Sequence, residues 1–136
     1  MAKVLDSWAV AAWVRGEPSA PKVRALLSAA ETGTLDLIMS MVNVGEVYYL
    51  LAKQRARGEA EQFLDDVERV PVRIVGAPND LILDAARWKS QYSISYADGF
   101  ALATAVRERA TLVTGDPDFR FLREAGIVDV EWIGEP

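Results

Sequence analysis

The stretch "LVTGDPDFRFL" (residues 112–122) carries an apolar run, a glycine and two carboxylates in quick succession. The run reads as a buried strand, Gly115 as the turn that ends it, and "PDFRFLREAG" as a short last helix. Asp116 before Pro117 fits an ordinary N-cap with proline at the first helical position, and Asp118 suits the first turn electrostatically. A strand that ends on an acid fits the edge of an α/β sheet equally well, so the neighbouring pattern has to decide.

Working outward, strand and helix patterns alternate along the chain. "AKVL" (2–5) reads as a strand, Ser7 to Arg15 as a short helix, and Ala20 to Thr32 as a second helix. "TLDLIMS" (34–40) is strand-like, and "VNVGEVYYLLAKQRAR" (42–57) is helical. Gly58 is expected to break that helix before "EAEQFLDDVE" resumes one. "VPVRIV" (70–75) is a third strand, followed by helices over 79–91 and 96–109, the "TLVT" strand (111–114) and a closing strand in "VDVEWI". Alternation of this kind predicts a central, mainly parallel sheet of about five strands with helices on both faces. With 136 residues, 51% of them hydrophobic, and no repeat or linker-like tract, one domain over 1–136 is expected.

Two absences narrow the chemistry. Without cysteine there are no disulfides, thiol nucleophiles or thiolate-bound zinc; without histidine there is no imidazole base, Ser-His relay or histidine-bound metal. A hydrolase built from this chain must use carboxylates, with a hard metal ion. The net charge of −5 argues against coating nucleic acid by bulk electrostatics, yet permits a nuclease whose cleft acids are offset by bound cations. The longest apolar run, Trp8 to Val14, is too short to span a bilayer and makes a poor secretion signal behind Asp6. No membrane association and a cytoplasmic location are expected.

In open α/β sheets, ligands gather beyond the carboxyl ends of the strands. Asp6 follows the first strand and Asp116 the "TLVT" strand. Two more acids sit on stripes where acids are costly. Glu46 shares a helix face with Val42, Tyr49 and Leu50, and Asp98 shares one with Ala101, Leu102 and Ala105. Each has an ordinary explanation, a nearby cation for Glu46 and the helix start for Asp98. Together the four can converge in one crevice. Two like charges about 4 Å apart repel by roughly 4 kcal/mol at an effective dielectric near 20, so such a cluster calls for a counter-ion. Mg²⁺ or Mn²⁺ prefers all-oxygen ligands and can activate water against a phosphodiester.

"VLDSWA" (4–9), "VNVGEVYYLL" (42–51), "SYADGFALATA" (95–105) and "LVTGDPDF" (112–119), in that order and spacing, resemble the PIN-domain ribonucleases, most closely the VapC-type toxins of toxin–antitoxin pairs. The similarity runs from Lys3 to about Trp132. It implies a three-layer α/β/α fold, with Asp6, Glu46, Asp98 and Asp116 as the acidic quartet that binds Mg²⁺ or Mn²⁺ for RNA hydrolysis. Asp118 matches a position less uniformly acidic. Ser7, Asn43 and Thr114 match polar positions beside the acids, where short side chains orient waters or carboxylates; for Ser7 capping is at least as good an explanation. The resemblance further implies an RNA substrate, homodimerisation, and a cognate antitoxin whose tail lies across the site.

Trp8 stands where a small or aliphatic residue is expected; core or interface is favoured over base stacking. The pair Tyr48 and Tyr49 reads as packing or dimer surface. "KQRAR" (53–57) is the densest basic cluster, about 11 to 16 Å along the helix from Glu46 at 1.5 Å per residue. It reads first as a solvated helix end, with Lys53 and Arg57 as phosphate candidates. Three functions stay open: an endoribonuclease leaving 5′-phosphate and 3′-hydroxyl ends, an aspartyl-phosphate phosphotransferase or phosphatase with Asp6 as nucleophile, and a non-catalytic interaction module. Against the second, haloacid-dehalogenase-type enzymes carry an Asp two residues after the nucleophile, where this chain has Trp8.

Overall fold

A computed structural model describes residues 1–54 and 57–136. In chain order its elements are β1 (Ala2–Leu5), α1 (Ser7–Val14), α2 (Ala20–Glu31), β2 (Asp36–Ser40), α3 (Met41–Gln54), α4 (Arg57–Arg69), β3 (Val72–Val75), α5 (Asn79–Gln91), α6 (Tyr96–Arg107), β4 (Thr111–Thr114), a 3-10 turn (Pro117–Phe119), α7 (Leu122–Ala125) and β5 (Val130–Trp132). The strands form one sheet in the order β3-β2-β1-β4-β5, and every pairing is parallel. The alternation of strand and helix thus gives the α/β/α architecture expected of it.

Side-chain alternation along the strands divides the core in two. Leu5, Leu37, Met39 and Val113 face α1 to α4, meeting Val10, Val23, Val47, Leu51 and Phe63. Val4, Ile38 and Leu112 face the other way, against Ala101, Leu102 and Ala105 of α6 and Leu122 of α7. Gly99 lets α6 approach α5 closely, since a Cβ there would lie 2.7 Å from the Ala85 carbonyl oxygen.

Several boundaries differ from the sequence reading for local reasons. Gly58 lies in the first turn of α4 (Arg57–Arg69) rather than between two helices, and Arg55 and Ala56 of the "KQRAR" cluster lie outside the described residues. β3 begins after Pro71, which has no N–H to give the ladder. The expected helix after β4 is split into the 3-10 turn and α7, which Gly126 ends with a φ of 69°. Among the described residues no helix is long and apolar enough to cross a membrane.

The strand order places the topological switch between β1 and β4, and the first residue past β1 keeps the ladder going, with the Asp6 N–H donating to the Val113 carbonyl at 3.3 Å. Trp8 packs beside this switch, half-buried against the α1–α4 core. Gly115 is what admits it: a Cβ there would sit 2.3 Å from two atoms of the indole and 2.7 Å from the Cα of Gly134. Gly115→Ala is therefore expected to destabilise the protein by about 1–3 kcal/mol, the usual cost of overpacking, with a melting temperature several degrees lower. An unchanged melting temperature would mean that the indole has room to move.

Candidate metal centre

Asp6 is the N-cap of α1, where its Oδ1 accepts from the Ala9 N–H at 2.8 Å. Its Oδ2 accepts from the Thr114 hydroxyl. The Thr114 Oγ1 in turn accepts from the Asp116 N–H at 3.0 Å. One buried hydroxyl therefore ties the end of β1 to the loop beyond β4. Asp6 is only 1% exposed. Burial pushes its carboxyl up to about 8, with Asp98 and Asp116 adding to the rise and the Thr114 and Ala9 hydrogen bonds opposing it.

Asp98 stands at the third position of α6 in a capping box with Ser95. The Asp98 N–H donates to Ser95 Oγ at 3.0 Å, and the Ser95 N–H to Asp98 Oδ2 at 3.3 Å. Its side chain is buried, and burial raises its carboxyl to about 6, helped by the charges of Asp116 and Glu46. Asp116 does cap the 3-10 turn, its Oδ1 accepting from the Asp118 N–H at 2.9 Å. That ordinary role does not exhaust it. One carboxylate oxygen from each of Asp98, Asp116 and Asp118 lies within 4.8 Å of the others.

Glu46, Asp98, Asp116 and Asp118 line one pocket together with Ser7 and Trp8. Asp6 is not among the lining residues; buried, it connects to the pocket through Thr114. Asn43 is fully buried, and its Nδ2 donates to the Ala97 carbonyl at 3.0 Å and to Glu46 Oε1 at 3.5 Å. Its Oδ1 has no partner, leaving an unused acceptor beside the acids. Thr114→Val removes the donor to Asp6 and the acceptor for the Asp116 N–H. It should leave the fold intact while weakening any metal-dependent activity by about 10–100-fold, the range for residues that orient ligands; unaltered activity would detach Thr114 from the site.

Sequence reading missed Ser95, whose S-x-x-D spacing to Asp98 was an available capping-box signal, and Arg15, which carries no motif. Arg15 lines the pocket, hydrogen-bonded to Gln54 and 3.7 Å from Glu17. Lys53 and Arg57 do not line it; Lys53 instead lies 5.7 Å from the centroid of the Tyr49 ring. Tyr48 donates to Glu61 at 2.7 Å, and Tyr49 is exposed.

All donors in this pocket are oxygens, and the whole chain offers no histidine or cysteine. A hard divalent cation such as Mg²⁺ or Mn²⁺ fits that set, and softer ions that prefer nitrogen or sulfur do not. The carboxylates of Asp98, Asp116 and Asp118 are what such an ion with its waters would satisfy.

The same architecture recurs in solved toxin–antitoxin structures. A chain of VapBC2 from Rickettsia felis, bound to a DNA fragment from their promoter, is 18% identical with a TM-score of 0.72, covering 96% of this chain and 98% of that one. VapC20 from Mycobacterium tuberculosis, a Sarcin-Ricin loop cleaving toxin, is 20% identical with a TM-score of 0.74, covering 95% and 98%. A toxin–antitoxin complex from Klebsiella pneumoniae is 20% identical with a TM-score of 0.68, covering 98% and 99%. At these identities the likeness is one of fold. No curated protein is similar at the level of sequence. The PIN domain family model matches residues 3–124, nearly the whole sheet and all the acids described above, and on that match the chain belongs to the PIN-domain family.

Proposed function

We propose that this protein is a Mg²⁺- or Mn²⁺-dependent endoribonuclease, a toxin of the VapC type held in check by a cognate antitoxin. The observation that carries the reading is the convergence of Asp98, Asp116 and Asp118, with Glu46, on one pocket at the switch point of a PIN-domain sheet. The nuclease character of PIN domains and the toxin–antitoxin origin of the structural neighbours support it.

In this reading Asp98, Asp116, Asp118 and Glu46 would hold the cation. When bound, it supplies Lewis-acid activation of water and offsets charge on the phosphodiester. The protein's own work is placement. The capping box fixes the Asp98 carboxylate at the start of α6, and the Asp6–Thr114 bridge fixes the loop that carries Asp116 and Asp118. Asp6 and Asp98, whose carboxyls burial raises, would give up their protons when a cation is bound. Water then attacks phosphorus in line and the 3′-oxygen leaves, giving 5′-phosphate and 3′-hydroxyl ends.

Phosphotransfer through Asp6 fits the geometry poorly. A nucleophile must be reached by its substrate, and Asp6 is buried with both carboxylate oxygens already hydrogen-bonded. The homodimer and antitoxin belong to the same proposal, and solution mass with and without the neighbouring gene product reports on both. The test of activity is to incubate the purified protein with total cellular RNA, with and without Mg²⁺, beside Asp98→Asn. New 5′-phosphate ends that need both Mg²⁺ and Asp98 are expected; their absence from wild-type digests would leave an interaction module.

A further inference from the structure

The acidic pocket continues into a second groove. Trp8 and Glu17 line both, and Pro18, Pro117, Arg120 and Glu135 also line the second. The groove measures about 260 Å³, below the roughly 300–1,000 Å³ of sites that enclose drug-sized ligands. An indole and two pyrrolidine rings give it flat, apolar surfaces.

Arg120 lines this groove, and Arg123 shares an aromatic support with it. The Arg120 guanidinium lies 4.9 Å from the centroid of the Trp132 ring and that of Arg123 lies 5.1 Å from the same ring. The Trp132 indole N–H donates to the Glu135 backbone oxygen at 2.7 Å, and Arg120 reaches the same oxygen at 3.4 Å. Both arginines are therefore pre-positioned on an aromatic support. Among the described residues neither forms an ion pair with a carboxylate, although the chain as a whole carries −5. Two acids line the groove: Glu17 has Arg15 3.7 Å away, and Glu135 accepts from Arg120 through its backbone oxygen. Flat apolar walls beside two arginines that make no ion pair match the chemistry of an unpaired nucleotide, a base to stack and a phosphate to hold.

We propose that this groove seats a nucleobase flanking the scissile phosphodiester, packed against Trp8, with the adjoining backbone phosphate held by Arg120 and Arg123. The inference rests on the nuclease reading and deepens it by naming the residues that hold the nucleotide next to the cut.

The test separates this from the nuclease reading by measuring binding rather than turnover. In an Asp98→Asn background with Mg²⁺, short fluorescent single-stranded RNA of random sequence is titrated at several salt concentrations. Replacing both exposed arginines by glutamine should weaken binding by about tenfold or more and flatten the log–log salt dependence by roughly 0.7 for each lost contact. Lysine at both positions should restore much of the slope. Photo-crosslinking with 4-thiouridine should attach RNA within residues 8–18 or 115–120. Unchanged affinity and slope in the glutamine double variant would overturn the proposal, as would loss of antitoxin binding with RNA binding intact, which would make the groove a protein-docking surface. Cleavage by the wild type, measured in parallel, judges the nuclease reading independently.

Discussion

Asp98→Asn and Asp116→Asn are each expected to reduce Mg²⁺-dependent RNA cleavage by about 10²–10³-fold or more, with little change in the fold. A cation that polarises a phosphodiester contributes several kcal/mol to the transition state, and each 1.4 kcal/mol is about tenfold in rate. An amide keeps the shape of the carboxylate but gives up its charge and puts a donor where the cation needs an acceptor. Asp98 and Asp116 are the two acids that are partly or fully buried and within 4.8 Å of each other and of Asp118, so no mobile neighbour can replace them. Glu46→Gln should also abolish cleavage, by thinning the pocket, whereas Asp6→Asn, which loosens the Thr114 bridge, should weaken it by about 10–100-fold. Asp118 is exposed, and Asp118→Asn should cost less, chiefly by raising the Mg²⁺ concentration needed. Single-turnover assays across a Mg²⁺ titration distinguish these cases; full activity in any one variant would remove that residue from the mechanism.

The second large effect is on stability. Asp6 in the folded protein has its carboxyl raised from 3.8 to about 8, chiefly by burial, and Asp98 is raised to about 6 for the same reason. Between the unfolded and folded values the native state binds more protons than the unfolded chain, so stability falls as pH rises through that window. One pKa unit corresponds to about 1.4 kcal/mol, so Asp6 alone should cost the metal-free protein roughly 2–3 kcal/mol between pH 6 and pH 8. Asp98 contributes mainly between pH 4 and pH 6. Asp6→Asn should flatten the profile above pH 6 and make the metal-free protein more stable than the wild type at pH 8. Mg²⁺ or Mn²⁺ should stabilise the wild type increasingly as pH rises, because the ion binds the deprotonated acids. Denaturant unfolding in chelator at pH 6 and pH 8 measures the slope. A flat profile in the wild type, or no stabilisation by metal, would show that the acids do not burden the empty fold.

The alternation of strands and helices was legible because periodicities of two and of about 3.6 residues differ sharply, and because the strands are apolar on both faces. The boundaries were less so. Gly58 looked like a breaker, yet glycine in the first turn of a helix costs little, and Pro71 shortened β3 by withholding an N–H from the ladder. The acids were found because Glu46 and Asp98 violate apolar stripes, a signal strong in sequence. Their unequal depth was hidden, since only the three-dimensional arrangement buries Asp6 under Thr114 and brings Asp118 up to Asp98 and Asp116. Arg15, Arg120 and Trp132 carry no spacing rule at all; Arg15 meets Gln54, 39 residues on, and Arg120 meets Glu135, 15 residues on. Trp8 was assigned to core or interface, and it is both part of the core and a wall of the pocket, which a pattern of apolar positions cannot express.

The most direct measurement is anomalous diffraction from crystals of the protein equilibrated with Mn²⁺. A peak bounded by the carboxylates of Asp98, Asp116 and Asp118, and lost in Asp98→Asn, is expected. Saturating Mn²⁺ with no peak in that pocket, or a peak held by other residues, would contradict the assignment of these acids to a catalytic cation.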